Sequence, residues 1–131
     1  MVTSNQEVSM IKKPKTDPAA CTGDILSMGD TFDILGGKWK LLILHYLLRR
    51  EHDANTFKKM EKDIEGISAK MLSKELKLLE VNKLVKREVM NTKPITVQYS
   101  ITEYGKTTQD LIKSIVEWGH KHRLEMLKGD S

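Results

Sequence analysis

The chain has 131 residues, of which 39% are hydrophobic and 31% charged, with a net charge of +4. That length makes one domain the default and allows a packed core without a metal or disulfide. A single cysteine, Cys21, excludes an intrachain disulfide, and the longest apolar run, "LLILHYLL", is far short of the ~20 residues of a membrane span.

The first twenty residues are polar, carry Pro14, Pro18 and three lysines, and lack the apolar segment of a secretory signal. They read as an N-terminal arm, 1–20, ahead of one domain, 21–131. The whole reads as a soluble protein of the reducing cytoplasm. "GDILSMGDTFDILGG" places Ile25, Met28, Phe32 and Leu35 at helical spacing, with Asp24 as a cap and a stop at Gly36-Gly37. "KWKLLILHYLLRR" is apolar nearly all round and predicts a buried central helix. "TFKKMEKDI" predicts a short amphipathic helix with Phe57, Met60 and Ile64 inward.

After only "EGI", Ser68 caps the next helix. At about 100° per residue, Leu72, Leu76 and Leu79 fall on one side, with Lys70, Ser73, Lys74 and Lys77 opposite. Asn82 is expected to end it in a left-handed conformation. "LVKREVM" and "TVQYSI" alternate with period two around "NTKP" and predict a hairpin, with Arg87 on its first strand and Lys93 at its tip. Thr102 is expected to cap a last helix reaching about Leu127. Its stripe of Leu111, Ile112, Ile115, Val116 and Trp118 is wider than a small core needs.

Charge is distributed unevenly. Residues 1–55 carry seven basic and seven acidic side chains, residues 94–131 five and five, and residues 56–93 ten and six. The entire surplus therefore lies in the short helix, the lysine-faced helix and the hairpin, the footprint expected for a polyanion partner. Two helices separated by so short a turn have helix-turn-helix spacing, and a hairpin directly after them is a wing. The fold class is mainly α with a small β-hairpin, a winged helix-turn-helix, and the partner it implies is double-stranded DNA. Lys58 and Lys59 are phosphate candidates on the first helix of the unit. Ser68, Lys70 and Ser73 are placed to meet base edges, Lys74 and Lys77 the groove, and Arg87 and Lys93 serve the wing. With no Asn, Gln or Arg on the groove face, phosphate positioning and DNA shape should outweigh base readout. The alternative is a winged-helix module that binds protein and no operator.

The strings "ILGGKWKLLIL", "GISAKMLSKELKLLE", "LVKREV" and "PITVQYSITEYG", in that order and followed by "EWG", resemble the HxlR-type winged helix-turn-helix transcriptional regulators, relatives of the MarR group. The resemblance covers about Cys21 to Gly119. It implies a bacterial homodimer on a palindromic operator, joined through the terminal helices, and a regulator, in the first instance a repressor. It also implies that Cys21 can sense oxidants or electrophiles by linking to the partner subunit. The chain departs from the pattern at Cys21-Thr22, where Cys-Pro is usual, and at Asn82-Lys83, where an acidic residue and Gly often stand.

No catalytic constellation is visible, no cofactor is implied, and no metal site is expected. His120 and His122 lie two apart on a helix and point to different faces. His45 lies in the most apolar helix and reads as a core residue. Trp118 and the final stripe suit a dimer seam better than an effector pocket, though a small-molecule or oxidant effector fits the family.

Overall fold

A computed structural model describes residues 22–129. The chain divides into two compact units, 1–38 and 39–131. The arm and Cys21 lie outside the described residues.

The first unit contributes helix α1, Thr22–Leu35. It is already helical at Thr22, so Asp24 sits in the first turn rather than capping it. The helix stops where predicted, and the Gly36 amide closes its last turn on Phe32 O at 2.8 Å. Ile25, Met28 and Phe32 are all more than half exposed.

The second unit holds α2 (Lys40–Arg49), α3 (Phe57–Asp63), α4 (Ala69–Val81), β1 (Val85–Met90), β2 (Thr96–Ile101), a 3-10 turn (Gly105–Thr108) and α5 (Gln109–Leu127). Ile43, Leu44 and Leu47 of α2, Met60 of α3, and Leu72, Leu76 and Leu79 of α4 are fully buried and form the centre of the core. Burial of each contributes about 1.5–3 kcal/mol. The strands pair antiparallel, from Val85 opposite Ile101 to Met90 opposite Thr96.

Two local features differ from the sequence reading. Asn82 is not left-handed; its φ is −86° and its side-chain amide donates to Leu78 O at 3.1 Å. The left-handed corner falls one residue later, on Lys83, at φ 66°. Lys83 N then bonds Glu80 O at 2.9 Å and Leu84 N bonds Leu79 O at 3.0 Å, the paired closure of a Schellman motif. Thr102 does not cap α5 directly. Its hydroxyl accepts from Gly105 N at 2.8 Å and donates to Lys83 O at 2.7 Å, so it opens the 3-10 turn and ties it to the end of α4. Gly105 is required there, because a Cβ would stand 2.2 Å from Leu84 O.

One pairing was not visible in the local pattern. Thr56 bridges to Gln98, and Tyr99 N donates to Asn55 O at 2.9 Å, so the entry to α3 lies along the inner wing strand. Asn55 is 1% exposed, and its side-chain amide donates to Arg50 O at 2.9 Å.

Candidate nucleic-acid interface

The two helices of the reading unit are set by their caps. Thr56 Oγ1 accepts from Lys59 N and Ser68 Oγ accepts from Met71 N, both at 3.1 Å, fixing the starts of α3 and α4. Between them Gly66 takes φ 88°, a conformation that lets the turn stay short.

From these starts α4 sorts its side chains as expected. The leucine row is buried, and Lys70, Ser73, Lys74 and Lys77 are all exposed on the opposite side. None of these three lysines forms an ion pair among the described residues. Their charge is therefore presented to solvent without local neutralisation.

The orientation of that face is fixed from behind. Glu75, 6% exposed, accepts from Lys40 Nζ at 3.2 and 3.3 Å through its two oxygens. This pair joins the buried side of α4 to the start of α2. A second link joins α2 to α3. Tyr46 Oη donates to Asp63 Oδ2 at 2.7 Å, and the Arg50 guanidinium sits 4.1 Å from the centre of the Tyr46 ring. Burial, then the bond to Asp63, pushes the Tyr46 hydroxyl up to about 12. The same bond, with Lys59 adding to it, holds the Asp63 carboxyl below its ordinary range.

The remaining sequence candidates divide by their local partners. Lys58 is exposed and unpaired among the described residues, whereas Lys59 bridges Asp63 at 3.5 Å. Ser68 is exposed, with its oxygen committed to the cap. Arg87 is exposed on β1 opposite the buried Tyr99, and Lys93 is exposed in the 91–95 loop. Lys83, exposed at the end of α4, is a further cation that sequence reasoning did not single out. The Lys40–Glu75 pair was missed as well, and 35 residues of separation leave it no local signal.

The stripe on α5 is divided. Ile112 is 6% exposed and belongs to the core of its own unit, a correction to its placement on the seam. Leu111, Ile115, Val116 and Trp118 are exposed, and Trp118 stacks on His122 with ring centres 5.1 Å apart. No group of three His, Cys, Asp or Glu that could hold a metal ion occurs among the described residues. No helix among them is long and apolar enough to cross a membrane.

A helix-turn-helix with an unpaired cationic face and an adjoining hairpin is now in view, and the HxlR-like helix-turn-helix family model matches residues 34–126. The chain belongs to that family. Among its relatives, the HTH-type transcriptional regulator YdeP of Bacillus subtilis is 37% identical over 93 residues, covering 71% of this chain and 70% of YdeP. The HTH-type transcriptional regulator YodB of the same organism is 36% identical over 91 residues, covering 70% and 79%. The reduced form of the redox regulator HypR superposes with a TM-score of 0.68 at 30% identity, over 79% of this chain and 99% of HypR. HypR is also solved oxidised, and YodB diamide-treated and quinone-bound. This HxlR-like chain is a winged helix-turn-helix, DNA-binding regulator of transcription. Its family is one of regulators, which is not an enzyme class.

Proposed function

We propose that the chain is a cytoplasmic homodimer that reads a palindromic operator and represses transcription by occupying it. The observation that carries this reading is the exposed, unpaired row Lys70, Ser73, Lys74 and Lys77 behind a buried leucine row. In it α4 lies in the major groove, Lys58 on α3 meets phosphate, and Arg87 and Lys93 bring the wing to the neighbouring backbone. Ser68 and Lys59 hold the local geometry as much as they meet DNA. The dimer forms through the exposed apolar faces of the terminal helices, Ile25, Met28 and Phe32 on α1 and Leu111, Ile115, Val116 and Trp118 on α5. Residues 1–20 act as an arm on the domain 21–131.

The effector reading rests on two relatives, a redox regulator and a regulator solved with quinone bound. Cys21 would act here by forming a disulfide with Cys21 of the partner subunit. Two thiols lose two electrons and two protons, and diamide as oxidant gains them.

The test is selection of bound DNA from a random pool, followed by salt titration. A palindromic consensus is expected. Lys74→Ala should weaken specific and nonspecific binding alike and lower the salt slope by about one unit. An absence of salt-dependent DNA binding would instead favour the protein-interaction module. Cys21→Ser should keep DNA bound under diamide that releases the native protein; equal release from both would remove Cys21 from the signal.

A further inference from the structure

A cleft on the second unit lies between α2 and the first half of α5. His45, Leu48 and Arg49 line it from α2, and Ile112, Lys113 and Val116 line it from α5, each set at the spacing that places side chains on one helix face. The cleft is open and encloses about 550 Å³, within the ~300–1,000 Å³ range of small-molecule sites. Its apolar wall is Leu48 and Ile112, of which Ile112 is buried and therefore held by the core, and Val116 of the proposed dimer face borders it as well.

Two cations and one carboxylate line the cleft, which leaves it a cationic surplus. Arg49 and Lys113 are exposed and form no ion pair among the described residues, one on each helix. Two cations that line one cleft beside an apolar wall suit one anionic group attached to an apolar body. The α5 side runs from Gln109 to Glu117, a rise of about 12 Å, so the body is short. Glu117 borders the same cleft and repels a second negative charge.

We propose that this cleft binds a small monocarboxylate with an unbranched or aryl apolar body. The carboxylate is held by Arg49 and Lys113, and the body lies along Leu48 and Ile112. The site is separate from the lysine face of α4, and its occupancy is read without DNA. Failure of this proposal therefore leaves the operator reading standing, and the reverse holds as well.

The experiment is calorimetric titration of the full chain with hexanoate, adipate and hexylamine, with NMR of the His45 ring and the Lys113 amide. Hexanoate should bind with a dissociation constant on the order of 1 mM and shift both resonances. Adipate should bind at least about tenfold more weakly because of Glu117, and hexylamine should not bind. Arg49→Gln and Lys113→Gln together should abolish hexanoate binding. Both side chains are exposed, so the variant keeps its core, which an unchanged melting curve checks. The proposal is overturned if hexanoate gives neither heat nor shifts, the result also expected were a second copy of the chain to cover the cleft. It is equally overturned if hexylamine binds as well as hexanoate, or if the double variant binds hexanoate as the native chain does.

Discussion

Lys83 occupies a corner that glycine usually fills. With φ at 66°, its Cβ crowds the backbone at a cost of about 1–2 kcal/mol. Glycine would remove that crowding but bring back about 0.4–1 kcal/mol of unfolded-chain entropy. Lys83→Gly should therefore stabilise the protein by about 0.5–1 kcal/mol, seen as a higher urea midpoint at unchanged slope; a lower midpoint would mean that the lysine side chain holds the corner. Single residues were legible where their cause was local. Ser68 was readable as a cap because the apolar row begins just after it, and the structure gives it that bond. Asn82 misled because its preference for left-handed backbone was outweighed by its own side-chain bond to Leu78 O, which keeps it near the helix. Ile112 misled because helical spacing shows which residues share a stripe, and only the packing of α5 on α2 shows where that stripe enters the core.

The elements of the reading unit are held by polar links rather than by apolar contact alone. Glu75 and Lys40 are nearly buried, with side chains 8% and 12% exposed. Removing one partner strands the other, so Glu75→Ala should cost about 3 kcal/mol. Glu75→Leu combined with Lys40→Met should cost much less, and a double-mutant cycle by urea denaturation checks the difference. If the double variant loses as much as the Glu75→Leu and Lys40→Met single variants added together, the pair is not coupled. The Tyr46–Asp63 link carries a pH signature. Asp63 is held below its ordinary 3.8 chiefly by the tyrosine hydroxyl, so its contribution is present above about pH 4 and is lost as pH falls through the lowered value. Tyr46 is raised from 10.0 to about 12, so its contribution is complete below pH 10 and is lost as pH rises through about 12. Melting temperature should then fall less steeply below pH 4 in Tyr46→Phe than in the native chain, and parallel profiles would disprove the link. The elements themselves were legible from the spacing of their apolar residues, because each is a contiguous stretch of sequence. These links were not, because each joins residues far apart in sequence.

At the scale of the molecule, the exposed apolar faces of α1 and α5 are larger than isolated surface residues require. Trp118 is 66% exposed and shares a side of α5 with the exposed Leu111 and Ile115. Trp118→Glu should convert a dimer to a monomer at micromolar concentration, and sedimentation equilibrium measures it. Operator affinity should fall in step, since two half-site readers at fixed spacing would be lost. A native chain that sediments as a monomer would end the dimer reading.

The two tryptophans also give the chain two optical reporters of different events. Trp118 stands on the outer side of α5 against the His122 ring, so its emission should report on whatever comes to cover that face. Trp39 is half-buried, and its ring lies 3.7 Å from where a Cβ of Gly66 would stand, at the turn between the two reading helices. Its emission should follow the docking of that turn on a duplex. Replacing either one by phenylalanine leaves a single tryptophan, so that assembly and DNA engagement become separable signals from one unlabelled protein.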